Sequence, residues 1–142
     1  MGQNELVKIY ETVLRPSAEY SSIIYGPLIP EYISTKLESV QRQAYKIIHG
    51  WDVDYEGLVA GGTVETLKKR RAEATLRFAI KTAASPRFGP TWYKENVVVN
   101  REVRATTRNK YVEQKCRTER GRNNPLNVLT RVLNEHHRSN QS

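Results

Sequence analysis

The sequence has few of the residues that staple small domains together. Cys116 is the only cysteine among 142 residues, which excludes an internal disulfide and any zinc site built on paired cysteines, and fits a reducing compartment. Asp52 and Asp54 are its only aspartates. Long apolar runs are also missing: the longest uncharged stretch, "YSSIIYGPLIP", carries two prolines and falls well short of the roughly 20 apolar residues a membrane helix needs. The opening "MGQNELVKIY" lacks the basic-then-apolar pattern of a secretory leader, and Leu6 stands where N-myristoylation wants Ser or Thr. An intracellular, soluble chain without a membrane partner is expected. Hydrophobic residues make up 38% of it, below the globular norm, so one modest core and one compact domain are expected.

Basic residues are scarce in one half and abundant in the other. Residues 1–67 hold five Lys/Arg against nine Asp/Glu, a balance of −4, whereas residues 68–142 hold eighteen against six, a balance of +12. A field of that sign favours a polyanion and makes its binding salt-dependent through counterion release.

Helical spacing dominates the first part. Leu6, Ile9, Tyr10, Val13 and Leu14 predict a helix over 5–14, with Asn4 as its cap and Pro16 interrupting or kinking it. A second helix is expected after Ser17, with Tyr20, Ile23 and Ile24 inward. From Glu31 to His49 the stripe Ile33, Leu37, Val40, Ala44, Ile47 and Ile48 predicts an amphipathic helix that Gly50 ends. "DYEGLVAGG" predicts a short helix, and Thr63 or Thr66 can cap the next one, whose residues Leu67, Ala74, Phe78 and Ala79 face inward until Ser85-Pro86. Residues 86–124 sustain no helical period; "NVVVNREV" and "KYVEQKC" have the composition of short extended segments. Asn124 and Pro125 then start a last helix with Leu126, Leu129, Val132 and Leu133 on one face. The expected architecture is mainly α. A small helical bundle occupies 1–85, a basic extended arm 86–124, a short C-terminal helix 125–136 and a disordered tail 137–142.

Two basic clusters are candidate phosphate contacts. Lys68, Lys69, Arg70 and Arg71 stand near a helix start, where the dipole disfavours cations, so something else must motivate them. Arg117, Arg120 and Arg122 belong to a longer basic run with Arg101, Arg104, Arg108, Lys110 and Lys115, in which Tyr111 is the one aromatic able to stack on a base. The competing explanation is that these cations pair with the acidic first half. Asp52 and Asp54 suit a loop and helix cap better than a metal pair, since no third ligand stands at the right spacing. His49, His136 and His137 lack a catalytic or zinc partner, and no nucleophile elbow or phosphate loop is present. Neither a catalytic nor a metal site is expected.

Several motifs in order resemble the carboxy-terminal end of reverse transcriptases from non-LTR retrotransposons of the LINE or jockey-like type. They are Tyr10, Arg15, Pro16, Glu19 and Tyr20; Leu37, Glu38, Val40, Gln41, Arg42 and Ala44; Leu67, Arg70 and Arg71; and Arg117, Thr118, Arg120, Asn123 and Pro125. The resemblance implies a helical thumb and the segment after it. It also implies contact with the backbone of RNA or an RNA–DNA hybrid, in the nucleus or a cytoplasmic ribonucleoprotein; a closed helical bundle is expected to stay monomeric. The aromatic-x-Asp-Asp motif of the family's palm is absent, so this chain alone is not expected to be an enzyme or to hold the Mg²⁺ ions that the palm would use. The alternative is an interaction module that docks on a palm or another protein through the apolar stripe of residues 33–48.

Overall fold

The structure, a computed structural model, describes residues 2–20, 22–26, 29–95 and 109–141. The protein is mainly α-helical, with one isolated antiparallel bridge, Glu95 to Tyr111, among the described residues. It divides into two compact units, Met1–Glu73 and Ala74–Ser142.

The first unit opens with α1 (Gln3–Ile9), a π-helical turn (Tyr10–Leu14) and α2 (Arg15–Glu19). Pro16 accounts for the π turn. Proline offers no amide, and its ring collides with the carbonyl four residues back, here that of Thr12. Widening the turn lets the Arg15 amide reach the Tyr10 carbonyl and absorbs the mismatch. The helical run therefore passes through Pro16 instead of being interrupted there. It also starts earlier than expected: Gly2 is its cap, and the Glu5 carboxylate accepts from the Gly2 amide at 2.8 Å, leaving Asn4 inside the helix. Ser17 caps nothing; its hydroxyl donates back to the Val13 carbonyl at 2.8 Å. Tyr20 and Ile24 are exposed, and the buried residue of α3 (Ser22–Tyr25) is Ser22.

Helix α4 spans Glu31–His49 and stops at Gly50, whose φ of 106° suits glycine. Its inward line, however, is Ser34, Gln41, Tyr45 and Ile48, while Val40 and Ile47 face outward. The cause is Gln41, only 2% exposed. Its Oε1 accepts from the Tyr10 hydroxyl at 2.7 Å, and its Nε2 donates to the Tyr55 hydroxyl at 2.8 Å and the Glu65 carbonyl at 2.9 Å. One side chain thus ties the π turn, α4, α5 (Tyr55–Ala60) and the chain before the next helix. Tyr10, Tyr45, Ile48, Tyr55 and Val64 pack around it. Burial pushes the Tyr10 hydroxyl well above the ordinary range, so it stays a neutral donor to Gln41.

The boundary between the units falls within α6 (Leu67–Ala83). In the second unit, Ala79, Tyr93, Tyr111, Leu129 and Leu133 form a core with Phe78, Ala83 and Trp92 against it. Helix α7 (Gly89–Trp92) starts hard against the end of α6: a Cβ on Gly89 would lie 2.4 Å from the Ala83 carbonyl oxygen. Thr82 and Tyr93 share a 2.8 Å hydrogen bond between hydroxyls. Residues 110–116 form no helix; Tyr111 makes the isolated bridge to Glu95, and the Val112 amide donates to the Lys94 carbonyl at 2.9 Å. The stretch "NVVVNREV" lies outside the described residues. Short α8 (Glu119–Arg122) and long α9 (Pro125–Ser139) follow. Helix α9 passes the expected end at 136 because its last turns have partners: the His137 ring packs on Tyr111 with centroids 5.8 Å apart, and the Arg138 guanidinium donates to Asn109 Oδ1 at 2.5 Å.

Gln41→Leu tests the buried junction. It keeps apolar volume but strands the Tyr10 hydroxyl and the Glu65 carbonyl, and should cost the first unit about 2–3 kcal/mol. Val40→Ser, on the outward side of the same helix, should stay within about 0.5 kcal/mol. Urea denaturation with an unchanged m-value measures both.

Candidate nucleic-acid interface

The two basic clusters occupy different environments. In the first, α6 begins with Thr66 as cap, its Oγ1 accepting from the Lys69 amide at 3.2 Å. The Glu38 carboxylate on α4 accepts from the Leu67 and Lys68 amides at 3.3 and 2.7 Å. An anion at a helix start offsets the dipole that the cations there oppose. The cations are themselves engaged. Lys68 Nζ lies 2.9 Å from Glu31, and Lys69 Nζ lies 3.0 Å from Glu65 and 4.0 Å from Glu73. Arg70 Nε donates to Glu19 at 2.5 Å, with Nη1 3.6 Å from Glu65. Arg71 is buried, and its Nη2 donates to Ser34 Oγ at 2.7 Å. The Glu65 and Glu19 bonds raise the Lys69 and Arg70 pKa values and hold both groups charged. The puzzle of cations at a helix start is thus answered within the first unit: five glutamates converge there.

The second cluster is the reverse. Arg117, Arg120 and Arg122 are exposed, as is Lys115, and among the described residues none of them has an acidic partner. The chain beneath them is firmly held. Thr118 caps α8, its Oγ1 accepting from the Gly121 amide at 3.2 Å, and Asn124 caps α9, its Oδ1 accepting from the Leu126 and Asn127 amides at 2.8 and 3.2 Å. Asn127, 2% exposed, pairs with the backbone of Gln114, accepting at 2.9 Å and donating at 3.1 Å. Its Nδ2 also donates to the Gly121 carbonyl at 3.3 Å and to Cys116 Sγ at 3.6 Å. Asn134, 1% exposed, does the same for Tyr111, accepting at 2.9 Å and donating at 3.0 Å. Within "KCRTERGRNNPLN", the residues that hold the turn and those that project from it are separate sets.

The two asparagines are what sequence reasoning missed. Their signal was present, since residues seven apart share a helix face and both border the Leu129–Leu133 stripe. Tyr111 is not a stacking platform: it is 8% exposed, packed against Tyr93 and His137. Arg101, Arg104 and Arg108 lie outside the described residues. Elsewhere in the second unit Lys110 pairs with Glu95 at 3.9 Å and Arg131 with Glu113 at 3.6 Å, while Lys81, Arg87 and Lys94 are exposed and, among the described residues, also without an acidic partner. Asp54 stands at the N-cap of α5, with Gly57 leaving room for its carboxylate. Among the described residues, no three His, Cys, Asp or Glu side chains gather in a group able to hold a metal ion, and no helix is long and apolar enough to cross a membrane.

No protein family, curated protein or solved structure matches this chain. Its functional reading rests on its own residues.

The glutamates around α6 should differ in weight. Glu38→Ala removes a carboxylate that satisfies two helix-start amides and should cost about 1–2 kcal/mol. Glu31→Ala breaks an ion pair whose side chains are 75% and 65% exposed and should cost at most about 0.5 kcal/mol. Thermal or urea denaturation of each variant separates them.

Proposed function

We propose that the protein binds RNA or an RNA–DNA hybrid through its phosphate backbone, as a thumb-like piece of a retrotransposon reverse transcriptase. The observation that carries the reading is the state of the cations between Lys115 and Arg122: exposed, without acidic partners among the described residues, and mounted on a turn fixed by buried hydrogen bonds. Such groups reach a polyanion without first giving up an internal ion pair. The burial of Tyr111 removes base stacking from this segment, which favours contact with phosphate and sugar over base edges. Lys68 and Lys69 remain reachable at 65% and 61% exposure and make a secondary contribution at most, because a phosphate must compete with their glutamates. Arg70 and Arg71 serve the fold.

Binding to an RNA–DNA hybrid should weaken steadily as salt rises. In a double-logarithmic plot, Arg117→Ala/Arg120→Ala/Arg122→Ala should flatten the slope by about two to three units, near 0.9 per lost phosphate contact on a duplex. Lys68→Ala/Lys69→Ala should flatten it by about one unit or less. Wild-type affinity and slope in the triple variant would sink the proposal.

A second reading has its own support: Tyr32, Val40 and Ile47 on α4, with Trp51 beyond it, are all more than half exposed. An interaction module would use this side of the first unit, which differs from the stripe expected between 33 and 48 because Ile48 is buried and Ala44 packs against the core. Sedimentation across protein concentration decides it for self-association. A docking face should give mass that grows with concentration and falls back to monomer in Val40→Ser/Ile47→Ser, with hybrid affinity unchanged.

A further inference from the structure

We infer that Asn127 is a positioning residue for the basic turn, setting the spread of Arg117 and Arg120; the inference rests on the binding role proposed above. Its carboxamide touches both ends of the stretch that carries those arginines. On one side it pairs with both backbone groups of Gln114, and on the other it donates to the Gly121 carbonyl. Lys115, Arg117 and Arg120 all lie between these points. The turn is closed by one buried amide, much as a disulfide closes a loop, and its cations are held apart before any ligand arrives. Ordering them then costs less on binding.

Two further observations make the turn tight. A Cβ on Gly121 would meet Cys116 Cβ at 3.0 Å, Thr118 Oγ1 at 3.2 Å and Cys116 Sγ at 3.3 Å, so the chain crosses itself with no space to spare. The Cys116 thiol fills that crossing and accepts from the Asn127 amide at 3.6 Å. Asn134 provides an internal control: it has the same residue type and nearly the same burial on the same helix, but among the described residues it pairs with Tyr111 alone, ahead of the turn. Loss of either amide strands backbone groups in the second unit, yet only Asn127 spans the basic stretch.

The test compares full-length Asn127→Ala, Asn134→Ala, Gly121→Ala and Arg117→Ala/Arg120→Ala. An RNA–DNA hybrid titrated at several salt concentrations is the probe, and denaturation midpoints run alongside. Asn127→Ala and Asn134→Ala should lose similar stability, while only Asn127→Ala weakens hybrid binding, by roughly fivefold, and flattens the salt slope by about one unit. Gly121→Ala distorts the same turn without removing a buried amide; it should give the same binding signature and serves where Asn127→Ala fails to fold. Wild-type binding in folded Asn127→Ala or Gly121→Ala, alongside a loss in the arginine variant, overturns the positioning role alone. Wild-type binding in the arginine variant overturns that role together with the reading it rests on.

Discussion

The second unit depends on a match between two repeat lengths. Seven residues of α-helix advance about 10.5 Å, and three residues of extended chain advance about 10 Å. Asn127 and Asn134 are seven apart on α9, and their backbone partners, Gln114 and Tyr111, are three apart on the extended segment. Both amides therefore reach a peptide group at once, each accepting from an N–H and donating to a C=O as a neighbouring β-strand would. An extended segment laid on a helix otherwise has no partner for these backbone groups, and burying them unpaired costs about 1–3 kcal/mol each. The pairing lets Tyr111 enter the core beside Leu133 and Leu129 without that penalty, and everything downstream through Gly121 is referenced to it.

The first unit solves a similar problem with Gln41, whose amide joins two tyrosine hydroxyls and a backbone carbonyl in the middle of an apolar cluster. Both units thus use a buried carboxamide where three or more chain segments meet. An amide suits this because it donates and accepts without charge, so its burial carries none of the desolvation cost of a carboxylate or ammonium group. Most charge lies nearer the surface, where Glu19, Glu31, Glu38 and Glu65 gather around the start of α6, with Arg71 a buried exception held by Ser34.

The helices over 31–49, 67–83 and from 125 were legible because apolar spacing, a terminal glycine and the Asn-Pro start each declare themselves locally. The polar residues of the core were not. Gln41, Asn127 and Asn134 are hydrophilic by type, and their burial follows from partners 13 to 31 positions away in the chain; helical spacing places the two asparagines on one face but does not encode those partners. For the same reason Val40 and Ile47 were assigned inward: once Gln41 turns toward Tyr10 and Tyr55, the helix rotates them out. The π turn escaped notice because the rule that proline breaks helices omits the option of widening the preceding turn. The division within α6 was hidden as well, since a continuous helical period says nothing about which neighbours each part packs against.

The motif residues behind the reverse-transcriptase resemblance take on a second meaning in this light. Tyr10 bonds Gln41, Glu19 bonds Arg70, Glu38 caps the helix that begins at Leu67, and Thr118 caps the turn that carries Arg120. They pair with one another or with the backbone, so their presence in this chain is accounted for by folding before any ligand is invoked. A motif arginine is therefore not a ligand contact by virtue of being in the motif. Arg70 and Arg117 stand equally in the quoted pattern, yet among the described residues one is bound to a carboxylate of its own unit and the other is not. Only the second kind would meet an anion without first giving up an ion pair of its own.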